Sequence, residues 1–311
     1  MLKNDDWDRK GSKLSQILIT GGTGFIGCIT AKRFMDRGDN VVVVDNLSRK
    51  GTSWNLEWLK TQGSFEFVQA DIRNPTEIRK TIKRYSDLKA VLHLAAQVAV
   101  TKSVSDPRED FDINALGTFN VLEAVREEAK CDPLVLYAST NKVYGGMEDV
   151  EVVETGGRYA YKDLAGGVSE SRILDFHSPY GCSKGAADQY VRDYERIYGL
   201  KTTVFRQSCI YGYRQLGVED QGWVAWFTIA SVLGQPLTIY GDGKQVRDVL
   251  FVDDLVDAYV LAVEDPDRVS GKVFNIGGGP ENVMSLLNLL DILKDLTGQE
   301  IQTSFDDWRP G

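Results

Sequence analysis

Short, uninterrupted runs of apolar residues recur along the first two thirds of the chain. Runs without polar alternation predict strands that are buried on both faces of a parallel sheet. The predicted strands are Gln16–Thr20, Val41–Val44, Phe65–Gln69, Ala90–Leu94, Leu134–Ser139 and Thr202–Phe205. Helical spacing lies between them, at Ile26–Arg37, Pro75–Tyr85, Phe111–Ala129 and Ser183–Tyr198. Strands that alternate with helices predict an α/β fold with a Rossmann-type, doubly wound parallel sheet.

The alternation changes after about residue 206, where a polar, loop-like stretch covers Gly212–Gln221. Beyond it we predict, in order, helix Val224–Leu233, strands Leu237–Tyr240 and Val249–Phe251, helix Asp253–Glu264, strand Val273–Ile276 and helix Ser285–Leu296. The segment from Val249 to Ile276 reads as a return to the first sheet. We therefore predict a Rossmann domain over 14–206 and 247–277, interleaved with a smaller α/β substrate lobe over 207–246 and 278–311.

Two polar stretches fall outside this pattern. Residues 1–13 read as a disordered lead, since no apolar segment of a signal peptide follows the basic residues. Residues 146–178 form a long insertion that is rich in glycine and acidic residues. Insertions of this length inside compact domains are usually either functional or disordered.

Composition excludes several classes of function. The 311 residues carry a net charge of −9, which argues against nucleic acid as a partner. No apolar run reaches the length of a membrane span, so we expect no membrane association. Only two histidines and four cysteines without C-x-x-C spacing are present, which argues against a metal site or a disulfide framework. Reduced thiols favour a cytoplasmic location.

A glycine-rich turn between the first strand and the first helix is the strongest local signal. Gly21, Gly24 and Gly27 follow the strand and open the helix. Glycines there permit a tight turn and a close approach of a pyrophosphate, which the free N–H groups of the helix N-terminus then bind. The spacing Gly-x-x-Gly-x-x-Gly differs from that of many dehydrogenases, and a simple turn is the alternative reading.

Acidic residues after the next two strands favour NAD as the cofactor. Asp45 ends the second strand, where a carboxylate accepts the ribose hydroxyls of NAD and repels a 2′-phosphate. Arg49 lies close enough to favour NADP instead, so that alternative stays open. Asp71 and Ile72 follow the third strand and could reach the adenine, although Asp71 could equally belong to a helix N-cap.

A tyrosine and a lysine four positions apart suggest general acid–base chemistry. Tyr180 and Lys184 share one helix face, and the charge of Lys184 is expected to lower the pKa of Tyr180. Ser139 and Thr140 end a predicted strand, at the edge of the sheet where open α/β folds bind ligands. The Thr140 hydroxyl could bind a sugar hydroxyl, or either hydroxyl could simply satisfy a turn.

Together these motifs resemble the extended short-chain dehydrogenase/reductase family over nearly the whole chain, from Gln16 to Gly311. The resemblance implies NAD-dependent chemistry on a nucleotide sugar, with Thr140, Tyr180 and Lys184 as the catalytic set. It also implies a tightly bound cofactor that is regenerated in each turnover. The cofactor-binding residues that we predict are Gly21, Gly24, Phe25, Ile26, Gly27, Asp45, Asn46, Ser48, Arg49, Asp71, Ile72, Leu94, Ala95, Ala96, Gln97, Asn114, Ser139, Tyr180, Lys184 and Gln207.

Local motifs narrow the resemblance to one branch. Dehydratases of the family carry an Asp-Glu pair directly after the catalytic hydroxyl residue, whereas Asn141 and Lys142 stand here. The stretches 45–59, 139–146 and 205–212 resemble the branch that epimerises CDP-linked hexoses at C2. A UDP-sugar 4-epimerase is the alternative within the family. A non-catalytic NAD-binding regulatory protein is the alternative of another class.

The resemblance also implies a substrate site in the second lobe. The chain departs from the family pattern at its C-terminal end. The predicted substrate-binding residues are Thr140, Asn141, Cys209, Trp223, Tyr240, Arg247 and Arg309. Guanidinium groups suit phosphate oxygens, although Arg247 could instead pair with a neighbouring carboxylate. The family implies a homodimer and a role in carbohydrate metabolism such as lipopolysaccharide O-antigen synthesis. Members usually continue past the Arg-Pro-Gly motif at 309–311, so we expect a further C-terminal segment.

Overall fold

The computed structural model describes residues 16–85 and 87–308. The predicted lead at 1–13 and Arg309 lie outside the described residues. The strands are β1 (Gln16–Thr20), β2 (Asn40–Asp45), β3 (Glu66–Gln69), β4 (Ala90–His93), β5 (Leu134–Thr140), β6 (Val152–Thr155), β7 (Arg158–Tyr161), β8 (Thr202–Gln207), β9 (Cys209–Tyr211), β10 (Leu237–Tyr240), β11 (Val246–Phe251), β12 (Lys272–Ile276), β13 (Val283–Ser285) and β14 (Thr303–Asp306). The α-helices are α1 (Phe25–Asp36), α2 (Thr52–Gln62), α3 (Pro75–Arg84), α4 (Val100–Ser105), α5 (Pro107–Phe111), α6 (Gly117–Glu128), α7 (Ser178–Tyr198), α8 (Trp223–Val232), α9 (Val252–Glu264), α10 (Pro266–Val269) and α11 (Leu286–Thr297).

A parallel sheet forms the centre of the molecule, in the strand order β12-β8-β5-β4-β1-β2-β3. Successive side chains of β1 enter different cores, because Ile17 and Ile19 belong to the cluster on one face and Leu18 to the cluster on the other. Burial on both faces is the reason why these strands read as continuous apolar runs. The order reverses between β1 and β4, as in a doubly wound sheet, which confirms the predicted fold class.

Smaller sheets and two helices form the second lobe. Strand β11 pairs with β9 and β13, and β10 pairs with β14. The helices α8 and α11 pack through Phe227, Leu289 and Leu293. Strand β12 joins the central sheet and α9 packs against α1, as predicted. The prediction that Val249–Phe251 also returns to the first sheet was wrong, because these residues pair with β9 instead.

The insertion at 146–178 is ordered by contacts with the second lobe. Its hairpin, β6–β7, docks through the backbone N–H of Tyr159, which donates to the carbonyl of Lys244 over 3.1 Å. The Tyr159 hydroxyl donates to Asp242, and the Arg158 guanidinium donates to the carbonyl of Val283 over 2.8 Å. The insertion is therefore not disordered, and its functional role stays a prediction.

Three helices differ from the sequence pattern. Helix α2 was not predicted, because its sequence has little apolar periodicity. The segment predicted as one helix over Phe111–Ala129 contains a π-turn at Asp112–Leu116 before α6 begins. Helix α7 begins at Ser178, five residues earlier than predicted, with Pro179 in its first turn, where proline is tolerated.

Two kinds of structural feature are absent from the described residues. No helix in that part of the chain is long and apolar enough to cross a membrane. No group of three or more His, Cys, Asp or Glu side chains there is arranged to hold a metal ion.

Candidate active site

A cavity of about 740 Å³ opens at the carboxyl edge of the central sheet and extends to the second lobe. Ligands of open α/β sheets bind at this edge, where the strand order reverses. Most of the predicted site residues line the cavity: Gly21, Gly24, Phe25, Ile26, Gly27, Asp45, Asn46, Ser48, Arg49, Asp71, Ile72, Leu94, Ala95, Ala96, Ser139, Thr140, Asn141, Tyr180, Lys184, Gln207, Cys209, Trp223, Tyr240 and Arg247.

The glycine-rich turn leaves no room for side chains. A Cβ atom on Gly21 would lie 2.7 Å from the backbone of Ala95, and Gly21 has a φ of +69°. A Cβ atom on Gly27 would lie 2.1 Å from the carbonyl oxygen of Gly21. Gly24 caps α1 without a side-chain hydrogen bond, so the first N–H groups of the helix stay available to an anion. These features fit the pyrophosphate of a dinucleotide.

Carboxylates stand where the adenosine of a dinucleotide would lie. Asp45 is buried, and its oxygens accept the backbone N–H groups of Thr23 (3.2 Å) and Leu47 (2.9 Å). Asp71 accepts a hydrogen bond from Asn46 (2.9 Å) and pairs with Arg73, which holds the pKa of Asp71 down at about 2. The alternative reading of Asp71 as a helix cap does not fit, because Asn74 caps α3.

A loop of the second lobe contacts α2 close to the glycine-rich turn. Arg214 donates to the side chain of Asn55 (3.1 Å) and to the carbonyl of Trp54 (3.2 Å), and it lies over the ring of Trp58. Arg214 has a φ of +67°, which is unusual for a residue with a side chain. The contacts with α2 stabilise this backbone conformation. The loop therefore fastens the second lobe to α2 beside the cofactor half of the cavity.

Tyr180 and Thr140 meet inside the cavity. Tyr180 is 8% exposed, and both side chains line the cavity. Burial raises the pKa of Tyr180 to about 12, and the nearby Thr140 hydroxyl acts against this rise. A nearby positive charge is therefore needed before Tyr180 can accept a proton at neutral pH.

Lys184 is the closest candidate for that charge, but its ammonium group points elsewhere. Its Nζ donates to the carbonyl of Ala138 over 2.5 Å and lies 4.2 Å from the centre of the Tyr137 ring. Burial lowers the pKa of Lys184 to about 7. The expected lowering of the Tyr180 pKa by Lys184 is therefore not found, because desolvation dominates the titration of both groups.

Replacing Lys184 with methionine should make stability less dependent on pH. The unfolded lysine titrates near pH 10.4, so between neutral pH and about pH 10 the unfolded state of the native protein binds more protons than the folded state. Native stability should rise with pH there by up to about 1.4 kcal/mol per unit relative to Lys184→Met. Urea unfolding at several pH values measures this difference. Lys80→Met, on an exposed position of α3, is the surface control, and parallel pH profiles for native protein and Lys184→Met would contradict the argument.

A buried ion pair holds in place the elements that carry the catalytic residues. Asp188 lies one helical turn after Lys184 and forms two hydrogen bonds of 2.9 Å with Arg206, both side chains being at most 1% exposed. Asp188 also accepts a hydrogen bond of 2.8 Å from the hydroxyl of Ser139. Arg206 continues the network to the hydroxyl of Tyr144 over 2.9 Å. This network fixes the end of β5, and with it Thr140.

Two predicted cofactor residues do not reach the cavity. The side-chain amide of Asn114 is buried against the backbone of Gln97, since its oxygen accepts the Gln97 backbone N–H (2.9 Å) and its nitrogen donates to the Gln97 backbone carbonyl (3.0 Å). Both side chains also donate to Asp110. Their polar atoms are used inside the protein, so they brace the loop after β4 rather than face a ligand.

The substrate half of the cavity contains residues that sequence reasoning missed. Lys142 lines it beside Asn141, and Gln215 and Gln245 line it from the second lobe. Each glutamine donates its amide N–H to a backbone carbonyl, while its buried oxygen has no hydrogen-bond partner among the described residues. Such acceptors indicate a polar ligand. Of these three residues, only Lys142 could have been found from the sequence, because it lies two positions after Thr140.

Comparisons with known proteins agree with this geometry. The sequence model described as "NAD dependent epimerase/dehydratase family" matches residues 17–277. CDP-paratose 2-epimerase from Salmonella typhi is 49% identical over 286 residues, covering 90% of this chain and 84% of that protein. Two solved structures superpose with a TM-score of 0.80, each covering 95% of this chain and 87% of the other. They are UDP-glucose 4-epimerase of Thermotoga maritima with UDP-glucose (33% identical) and UDP-glucuronic acid 4-epimerase of Bacillus cereus with UDP-glucuronic acid and NAD (28%).

Proposed function

Because the chain belongs to the NAD dependent epimerase/dehydratase family, we propose that it inverts a nucleotide sugar at C2, converting CDP-paratose to CDP-tyvelose or acting on a related CDP-hexose such as CDP-glucose. The observation that carries this proposal is the pair Thr140 and Tyr180, two neighbouring hydroxyl groups that line the same cavity as the glycine-rich turn. The similarity to CDP-paratose 2-epimerase supports the choice of carbon and nucleotide.

NAD is the cofactor of this family, and it supplies a reversible acceptor for hydride. The turn at Gly21, Gly24 and Gly27 would hold its pyrophosphate and Asp45 its adenosine ribose, which favours NAD over NADP. Lys184 would bind the nicotinamide ribose. The loop around Arg214 fastens the second lobe to α2 beside this half of the cavity, and the protein would retain the cofactor through successive turnovers.

Tyr180 would act as the general base and then as the general acid. In the first step Tyr180, as its phenolate, would take the proton of the C2 hydroxyl group while bound NAD would supply the acceptor for the hydride from C2, which leaves a ketone there. Thr140 would orient that hydroxyl. After the sugar turns in the cavity, Tyr180 would return the proton to the oxygen on C2 as the hydride is given back to the opposite face. No net oxidation occurs, and enclosure in the cavity would protect the ketone from water.

The second lobe would hold the nucleotide and its diphosphate. Arg247 lines the cavity with an exposed side chain, and Trp223 and Cys209 lie beside it. Tyr240 stands at the end of β10, where the base is expected. Arg309 remains a diphosphate ligand proposed from the sequence. We propose the interleaved lobes that the sequence pattern predicts, with 14–206 and 247–277 for NAD and 207–246 and 278–311 for the substrate, except that 247–251 pair with strands of the second lobe.

The assembly and location that we propose are a homodimer in the cytoplasm. Apolar side chains remain exposed on the outer faces of α6 and α7, including Phe119 (37% exposed), Tyr190 (49%) and Ile197 (66%). A second copy would cover them, since contiguous apolar surface favours protein contact. The product would serve carbohydrate metabolism, such as the synthesis of lipopolysaccharide O-antigen.

A product assay tests the proposal. The NAD-loaded protein should invert CDP-paratose, CDP-glucose or a UDP counterpart at C2, as followed by NMR of the ring protons. Inversion at C4 would move the protein to the UDP-sugar 4-epimerases, the alternative that the solved structures support. No conversion of any of these sugars would favour a non-catalytic NAD-binding regulator instead.

A further inference from the structure

Lys142 is a cation inside the substrate half of the cavity. Its side chain lines the cavity and is partly buried. Among the described residues, its ammonium group has neither a carboxylate partner nor a hydrogen-bond acceptor. An ammonium group in such a setting is poorly solvated, so an anion that enters the cavity gains by contact with it.

The surroundings of Lys142 carry further positive charge. Burial lowers the pKa of Lys142, and the nearby guanidinium of Arg247 lowers it further. The thiol of Cys209 is also near, and burial raises its pKa, which keeps it neutral. The charged groups facing Lys142 therefore form an anion site, and the diphosphate of a nucleotide sugar is the anion that the proposed function provides.

The anion site is attached to the catalytic residues. Lys142 belongs to the single turn Asn141–Tyr144 that follows β5, and its backbone N–H donates to the hydroxyl of Thr140 over 3.2 Å. The Thr140 hydroxyl in turn lies near the Tyr180 phenol, and both residues line the cavity. The turn thus fixes the cation and the reacting hydroxyl groups relative to each other.

The ring carbon that reacts depends on where the phosphate is held. In a nucleotide sugar the phosphate is attached through C1, with C2 one bond away and C4 across the ring. A phosphate held next to Thr140 brings C2 to Tyr180, whereas oxidation at C4 requires the phosphate to lie farther from the catalytic pair. We propose that Lys142 binds the sugar-linked phosphate and thereby selects C2 over C4.

This inference rests on the proposed function and explains a feature of the sequence. Dehydratases of the family resemble this chain but carry an acidic residue at the position of Lys142. A carboxylate at that position would repel a phosphate. The charge of this one residue therefore distinguishes a site that brings C2 to the catalytic tyrosine from one that brings C4 there.

A binding experiment tests the contact without relying on turnover. Calorimetry of the NAD-loaded protein should show that Lys142→Met weakens binding of CDP about 10-fold or more, since charge-assisted hydrogen bonds are the stronger kind. Binding of CMP, which has no second phosphate, should stay the same. Lys142→Arg keeps the charge and should retain most of the CDP affinity. Equal affinities for CDP in the native protein and Lys142→Met, or an equal loss for CMP, would overturn the proposal.

A product experiment tests the selection of the carbon. CDP-paratose has hydroxyl groups on C2 and C4, so both sites compete in one substrate. Lys142→Met should lower kcat for C2 inversion about 10–100-fold, because a small misplacement of the reacting carbon is costly. The share of turnover at C4 should rise, as followed by NMR.

Lys80→Met, on an exposed position of α3, is the matched control for the product experiment. It should leave kcat and the ratio of C2 to C4 turnover as in the native protein. An unchanged C2-to-C4 ratio in Lys142→Met would overturn the selection. If the native protein inverts no sugar, the proposed function fails, and the CDP and CMP affinities still decide whether Lys142 holds the phosphate.

Discussion

Replacing Tyr180 with phenylalanine should lower kcat for epimerisation about 1000-fold, while the fold and the bound NAD remain. The two side chains have the same shape, so the buried ring keeps its packing and only the hydroxyl group is lost. Without that hydroxyl, the residues lining the cavity offer no other group next to Thr140 that can take the C2 proton. Steady-state kinetics with CDP-paratose and the absorbance of retained NAD measure the two effects.

Tyr194→Phe is the matched control for this variant. Tyr194 lies on the same helix and is 5% exposed, but its hydroxyl donates to Glu123, away from the cavity. Its replacement should leave kcat within a factor of about two, since no group that contacts the substrate changes. More than a tenth of the native kcat in Tyr180→Phe would contradict the assigned role.

Replacing Asp188 with alanine should destabilise the protein by about 3–5 kcal/mol, which is a large part of the stability of a typical protein. The variant leaves the guanidinium of Arg206 buried without its carboxylate, and Ser139 loses its acceptor. Urea unfolding measures the loss of free energy. The double variant Asp188→Leu with Arg206→Met should recover much of it, because two apolar side chains need no partner.

An exposed ion pair provides the control for Asp188. Lys162 and Glu151 pair over 2.7 Å with both side chains more than half exposed. Glu151→Ala should cost at most about 1 kcal/mol, because solvent screens such pairs. A loss below about 1 kcal/mol in Asp188→Ala would mean that the buried pair does not hold the end of β5 in place.

The central sheet and the cofactor turn could be predicted because their signals are local. Strands that are buried on both faces must be apolar throughout, and a pyrophosphate turn must be rich in glycine. Gly21 illustrates the second constraint, since its positive φ and the backbone of Ala95 both exclude a side chain. Tyr180 and Lys184 were also found locally, because their spacing on one helix is fixed.

Contacts between distant parts of the chain could not be predicted. Asn114 lies 17 positions from Gln97, and nothing in the sequence reveals that its side-chain amide bonds to the Gln97 backbone rather than to the cofactor. Arg214 meets Asn55 across 159 positions. Lys184 was assigned to the pKa of Tyr180 from spacing alone, but its ammonium group turns to the carbonyl of Ala138. Spacing places a residue on a helix face without fixing where a long side chain ends.

The retention of deuterium at C2 is the most direct test of the account. CDP-paratose with deuterium at C2 should be converted to a C2-inverted product that keeps the deuterium, because the hydride leaves C2 and returns to C2 through NAD held inside the cavity. NMR of the product in ordinary water measures both the configuration and the label. An inverted product that has exchanged its deuterium for solvent hydrogen, or no inversion at C2, would contradict the account.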